Sequence, residues 1–368
     1  MDQTREWILG RLAELVNVDS GTGDREGLER IAAMLRQWAG ELGLDFAALD
    51  ASDGSRHYLL SRGRGERVLL IAHLDTVFAK GTAGGRPFSI DGDLARGPGV
   101  SDCKSGVVTI LAALSKLAEA RWLDREIVCL FNSDEEISSP GSREIIFKLA
   151  RESREVLVVE PAEGENLTVA RKGIGRFELR VAGKAAHSGS NYQDGSNAIL
   201  EMAHKIIAIQ NLTDLAAGVT LNVGVVTGGF RPNIVPDFAA AEIDLRIVRP
   251  GQERAVIEAL ERIAREYRVP GTVGSLSGGV TRPPMPATPA GLELLAKFQA
   301  AAHRLGFELG GVESGGGSDA NLAAAAGAAV IDGVGPIGGG HHSEDEYLAI
   351  PSLFRRIDLL AEFLRAAS

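Results

Sequence analysis

The chain has 368 residues, 45% of them hydrophobic and 24% charged, with a formal net charge of -10. That length suits two domains, and the apolar content excludes general disorder. No apolar run reaches the roughly 18 residues of a membrane helix, and an acidic chain without a Lys/Arg block has no general attraction for nucleic acid or anionic lipid.

The first residues, MDQTREWILGRLAELV, mix charges into an apolar pattern at helical spacing and lack the run and cleavage site of a signal peptide. The expectation is a cytoplasmic protein, in which the N-x-T sequons at Asn166 and Asn211 carry no meaning. Residues 2–17 and 23–43 read as amphipathic helices. Three short apolar runs follow, at residues 66–72 (ERVLLIA), 126–131 (EIVCLF) and 155–159 (EVLVV). Each reads as a strand buried on both faces. Residues 104–121 between the first two read as a helix of about five turns. Strands alternating with such helices predict an α/β fold, a mainly parallel sheet flanked by helices.

From about Gly173 the texture changes. Residues 175–181, 219–226 and 240–248 alternate like half-buried strands, separated by helices at 195–210 and 252–265. A Gly/Pro-rich stretch at 270–289 then returns the chain to helix–strand texture. The domains expected are residues 1–173 and 282–368 as one α/β catalytic domain, with a smaller α+β domain inserted at 174–281. The glycines at 63–65 and 173–175 precede no helix, so they read as turns rather than a dinucleotide fingerprint. No G-x-S-x-G elbow is present.

The chemistry lies at the strand ends. His73 and Asp75 close the first run, Glu135 and Glu136 follow the second, and Glu160 ends the third. Asp102 lies in the Gly-rich loop GPGVSDCKSG, and His341 and His342 lie in another, GPIGGGHHSEDEY. Ligands of open α/β sheets gather beyond the carboxyl ends of the strands. Taken singly, each residue reads more simply: Glu135 and Glu136 as a solvated helix start, Asp102 as an N-cap. Together, converging carboxylates would repel one another without a cation. Two histidines and three carboxylates suit zinc, cobalt or manganese, and a bridging carboxylate lets five side chains hold two ions about 3.5–4 Å apart. A water between the ions becomes the nucleophile, and a free Glu takes its proton. Cys103 and Cys129 form no C-x-x-C pair, and Cys103 reads as a buried small residue. His57, His204 and His303 read as packing or surface residues.

The motifs HLDTV, GPGVSDCKSG, NSDEEISSPGS, VVEPAE, AAHSG, RPNIVPDFAAAEIDLR, GVESGGGSDAN and HHSEDEY occur in this order along the chain. Their run resembles the di-zinc metallopeptidase family of carboxypeptidase G, aminoacylase-1 and succinyl-diaminopimelate desuccinylase, most closely its glutamate carboxypeptidase branch. The resemblance implies that His73 and Glu160 hold one zinc, Glu136 and His342 the other, and Asp102 bridges both. Asp75 would orient His73, and Glu135 would be the general base. A Glu at position 160 resembles the carboxypeptidases and deacylases, where aminopeptidase-type members have Asp. The inserted domain resembles the family's lid and dimerisation domain. His187 would reach the partner subunit's site to stabilise the oxyanion, and Asn233, Arg246 and Arg282 would hold the substrate's free carboxylate. The expected protein is thus a homodimeric zinc amidohydrolase removing a C-terminal amino acid, with glutamate as one candidate, from an N-acyl or peptidyl group. Co2+ or Mn2+ could substitute for zinc. The alternatives are an aminoacylase or amino-acid-conjugate hydrolase with the same mechanism, and a non-catalytic metal- or ligand-binding protein on this scaffold.

Overall fold

A computed structural model describes residues 3–120 and 125–366. The chain divides into two compact units: residues 1–170, 287–314 and 318–368 form the first, and residues 171–286 with 315–317 form the second.

The first unit is built on a six-stranded sheet in the order Asp45–Asp50, Arg56–Arg62, Glu126–Asn132, Arg67–His73, Glu155–Val158, Ala329–Ile331. The last four strands run parallel to one another. The first two form an antiparallel hairpin at one edge. The sheet is therefore mainly parallel, as the uninterrupted apolar runs require. The edge hairpin escapes sequence patterning because its strands carry charges on an exposed face and owe their pairing to a neighbour remote in sequence. Val68, Leu69, Leu70 and Ile71 are fully buried. Against them lies the helix Lys104–Ala120, which buries Val107, Ile110, Leu111 and Leu114; Arg121, in the sequence reading of this helix, lies outside the described residues. The same core takes Trp38 from the helix Arg25–Leu42 and the stacked pair Phe298 and Phe363, whose ring centroids are 4.0 Å apart. Burying each such side chain contributes roughly 1.5–3 kcal/mol. Asp24 caps the start of the Arg25–Leu42 helix by accepting from the Gly27 amide, and Gly43 ends it at φ 65°, a left-handed conformation that suits glycine.

The second unit is a four-stranded antiparallel sheet in the order Thr220–Gly228, Phe238–Ile247, Gly173–Ala182, Val273–Arg282. Along Gly173–Val181 buried residues alternate with partly or fully exposed ones. The helices Ala198–Gln210 and Gln252–Arg265 contribute Met202 and Leu260 to a core shared with Leu179, Ile243 and Leu245.

One sequence expectation is corrected here, and one strand was not anticipated. Gly173 and Gly175 are not a turn but open the long strand Gly173–Ala182; a Cβ at Gly173 would meet the Pro284 backbone nitrogen at 2.7 Å, so close packing explains the glycine. The Gly/Pro-rich stretch contains the ten-residue strand Val273–Arg282, hydrogen-bonded along Gly173–Ala182. Its glycines lower local strand propensity, and the neighbouring strand supplies the pairing that overrides it. Arg282 accordingly belongs to the inserted unit, which extends to Pro286.

Candidate active site

Three parallel strands of the first unit deliver the site. The strand Arg67–His73 ends on buried His73. The strand Glu126–Asn132 leads into a single 3-10 turn, Glu135–Ile137, and Glu155–Val158 leads to Glu160. Asp102 comes from the loop before Lys104–Ala120, and His342 comes from the loop after Gly338–Gly339.

The side chains meet around Asp102. His73 Nε2 lies 2.9 Å from Asp102 Oδ1 and 3.7 Å from Glu160 Oε1. His342 Nε2 lies 3.4 Å from Asp102 Oδ2 and 3.2 Å from Glu136 Oε2. Asp102 Oδ1 therefore faces His73 and Oδ2 faces His342, with Glu160 beside the first ring and Glu136 beside the second; ligand atoms of Glu136 also lie within 4.8 Å of those of His73 and Asp102. Ligand atoms of a four-coordinate ion with bonds of about 2.0–2.2 Å are separated by about 3.3–3.6 Å, which these spacings approximate. The donor set of imidazole and carboxylate fits a pair of borderline divalent ions. His342, not His341, joins the cluster; His341 Nε2 is instead 3.1 Å from the Ser101 hydroxyl.

Electrostatics tell the same story. Burial pushes the Glu136 carboxyl up to about 8 and Glu160 well above its usual range. Burial also opposes charge on Asp102, but hydrogen bonds from His342 and His73 outweigh it and hold that carboxyl low. A hydrogen bond to Asp102 raises His342 to about 9. Burial would lower His73, yet the charge of Glu160 and hydrogen bonds to its carboxylate neighbours carry it well above 6.5. A divalent cation would offset this burial penalty and the smaller repulsion that Asp102 and Glu135 add at both glutamates.

His73 Nδ1 donates to the backbone carbonyl of Asp75 at 2.9 Å, which turns Nε2 toward Asp102. The Asp75 carboxylate sits 3.5 Å from the same ring nitrogen and is otherwise engaged: it accepts the backbone amides of Glu135 at 3.1 Å and Glu136 at 3.2 Å, and the Thr22 hydroxyl at 2.7 Å. Cys103 is buried, donates to the Val159 carbonyl at 3.2 Å, and has its thiol pushed up by burial. Its sulfur also lies within 4.8 Å of ligand atoms on His73 and Glu160.

Sequence reasoning missed several supporting residues. Asp134 accepts the amides of Gly141 and Ser142, closing the loop that carries Glu135 and Glu136, and Asp319 accepts from Asn132 at 2.6 Å. Glu346 is buried and accepts three backbone amides around Asp102. The only signal was an acidic residue four positions after His342. His57 is a packing residue: it is fully buried, accepts the Ser133 amide, and burial lowers its pKa.

The remaining candidates lie in the second unit. His187 is exposed at the end of a two-residue strand, and its Nδ1 accepts the amides of Gly189 and Ser190, each at 3.1 Å. The neutral ring then carries its proton on Nε2. Asn233 is exposed, and its backbone carbonyl accepts the Ser188 amide at 3.1 Å. Arg246 grips Asp244 with two nitrogens, at 2.9 and 3.2 Å, and donates to the Gly315 carbonyl at 3.1 Å. Arg176 also contacts Asp244. Arg282 is buried at the end of its strand.

The fold and the converging imidazole and carboxylate side chains suit a metal-dependent hydrolase. Residues 69–366 match the family model described as peptidase family M20/M25/M40, and the chain belongs to that family. It is 34% identical over 367 residues to carboxypeptidase G2 of Pseudomonas sp. (strain RS-16), covering 97% of this chain and 88% of that protein. Among solved structures, it resembles an M20 family metallo-carboxypeptidase from Sulfolobus solfataricus, with a TM-score of 0.79, 20% identity and 99% of each chain covered. A tripeptidase from Staphylococcus aureus gives a TM-score of 0.84, 21% identity and 98% of each chain. The α/β fold expected from the sequence is that of these structures.

Proposed function

We propose that this protein is a di-zinc carboxypeptidase-type amidohydrolase, which removes a C-terminal amino acid from an N-acyl or peptidyl group. The observation that carries the reading is that the two oxygens of Asp102 face two histidines, His73 at 2.9 Å and His342 at 3.4 Å, each with a glutamate beside it. His73, Glu160 and Asp102 would hold one ion and His342, Glu136 and Asp102 the other, with Co2+ or Mn2+ as substitutes for Zn2+. Two such ions supply Lewis acidity toward a carbonyl oxygen and toward water.

The chain's own residues do the rest. Glu135 takes a proton from the attacking water and returns it to the leaving nitrogen. Asp75 positions Glu135 through its backbone and His73 through its own carbonyl. His187, with its proton on Nε2, donates to the oxyanion of the partner subunit's substrate, a contribution of about 3–4 kcal/mol for a comparable donor. Asn233, Arg246 and Arg282 hold the free carboxylate, and the grip of Asp244 fixes the plane of the Arg246 fork. Glutamate is the first candidate for the released residue, on the resemblance to the glutamate carboxypeptidase branch.

Homodimerisation is part of the same reading. Exposed apolar side chains concentrate in the inserted unit, including Ile207, Leu215, Val226 and Phe230. Such a concentration suits a protein interface. No helix among the described residues is long and apolar enough to cross a membrane. The buried free thiols Cys103 and Cys129 support a reducing, cytoplasmic setting.

The test is hydrolysis of a panel by chelator-stripped enzyme with and without zinc. The panel holds N-acyl-glutamates, other N-acyl-amino acids, and dipeptides with free or amidated C-termini. Zinc-dependent cleavage that requires a free C-terminal carboxylate is the expected result. Cleavage of amidated and free substrates alike removes the carboxylate pocket, and two bound ions without any cleavage favour the binding-protein alternative.

A further inference from the structure

Glu346 is 1% exposed, yet no Lys or Arg forms an ion pair with it among the described residues. Its carboxylate is held by the main chain of a distant loop. Oε2 accepts the Gly99 amide at 2.8 Å, and Oε1 accepts the amides of Ser101 and Asp102, each at 3.0 Å. Three convergent amides are a strong, directional cradle for an anion. One of them belongs to Asp102 itself. Glu346 also stands four residues after His342, in the same loop. A second tie runs in parallel, between the Ser101 hydroxyl and His341 Nε2 at 3.1 Å. Gly338 fits this junction because a Cβ there would meet the Ser101 hydroxyl at 2.0 Å.

We infer that Glu346 is a positioning residue that locks the Asp102 loop to the His342 loop, and so sets how tightly the second ion, between Asp102, Glu136 and His342, is held. The inference rests on the dinuclear reading above. Its physical basis is that Asp102 Oδ2 and His342 Nε2, 3.4 Å apart, come from segments about 240 residues apart in sequence, joined here by Glu346. An acceptor-only carboxylate satisfies all three amides. The Glu346→Gln side chain keeps the size but places an NH2 group against one of the donors, so the two loops lose their shared register.

The experiment is a titration of chelator-stripped protein with Co2+, read by absorption and by calorimetry, on wild type and on Glu346→Gln. The expected result is an unchanged first binding step and a second step weakened about 10- to 100-fold. In parallel, kcat should fall at low metal and recover at high metal, with KM little changed. Loss of stability alone would weaken both binding steps together, because metal binds only the folded state, whereas the inference weakens the second step and spares the first. Glu201→Gln, in the inserted unit and remote from the donor set in sequence, is the control: it should lower Tm and leave both binding steps intact. If Glu346→Gln does not fold, Ser101→Ala tests the parallel tie and should weaken the second step by a smaller factor. A folded Glu346→Gln protein that takes up two ions as wild type does overturns the inference and leaves the dinuclear reading standing. Wild-type protein that binds no ion overturns both.

Discussion

The carboxylate of Asp75 accepts the backbone amide of Glu135 at 3.1 Å, so the proposed general base is held by the residue two positions beyond a metal-ligand candidate. The adjacent Glu136 amide binds the other oxygen at 3.2 Å, and the Thr22 hydroxyl completes the set at 2.7 Å. One buried carboxylate thereby fixes the start of the turn from which Glu135 and Glu136 diverge.

Glu135→Gln should keep both metal ions and lower kcat by a factor of about 10²–10⁴, since it removes a proton acceptor without altering size. Metal content by elemental analysis, alongside turnover, checks this. An active variant removes the base assignment.

Thr22→Val deletes one hydrogen bond to Asp75 while keeping the shape of the side chain. Metal content should not change, and kcat should fall about 10-fold through looser placement of Glu135. Unchanged steady-state kinetics would show that Asp75 is held well enough without Thr22.

Metal binding should release protons at neutral pH. In the metal-free protein Glu136 is raised to about 8 and His342 to about 9, so both carry protons at pH 7, whereas a ligand must be deprotonated. Apparent affinity should therefore rise with pH through this range. Calorimetry in buffers of different ionisation enthalpy measures the proton count, and a count of zero contradicts the expectation.

Glu155 is buried between Arg125 at 2.9 Å and Lys297 at 2.6 Å. Burial opposes its charge, but the hydrogen bonds from Lys297 and Arg125 outweigh it and lower the pKa. A depressed folded value means that the stabilisation is complete above the unfolded value of about 4.3 and is lost as pH falls through the folded value. Glu155→Gln should cost about 3 kcal/mol at pH 7, because Arg125 is left buried and unpaired. The gap to wild type should narrow below about pH 4.3. Urea unfolding across that range is the measurement, and a gap that widens toward acid reverses the sign.

Ile207→Asp places a charge on an exposed apolar face of the inserted unit, where Ile207 is 62% exposed. The folded monomer should be unaffected, and self-association should weaken about 10-fold or more. Sedimentation velocity across a dilution series decides it.

Much of the candidate site was legible in one dimension. His73, Glu160 and the Glu135–Glu136 pair follow apolar runs, and a parallel sheet sends all of its strand ends to one rim. Glu346 was not legible in this way. Its partners are main-chain amides of Gly99, Ser101 and Asp102, which leave no trace in residue identity. The same holds for Asp134 and Asp319. The strand Val273–Arg282 was hidden differently, since its glycines carry no strand pattern and its pairing comes from hydrogen bonds to a neighbouring strand.

What the sequence by itself determined is therefore the periodic and chemical content: buried parallel strands, flanking helices, an inserted alternating sheet, and acidic or imidazole side chains at strand ends. These follow from local rules, because burial on two faces demands apolar runs and charges fall where a strand leaves the core. Only the tertiary structure decided which oxygen of Asp102 faces which histidine, that His341 turns to Ser101 beside the His342 already implied by the resemblance, and that Asp75 spends its carboxylate on the amides of Glu135 and Glu136. Those choices depend on distances between segments far apart in the chain, and on backbone donors that every residue type shares.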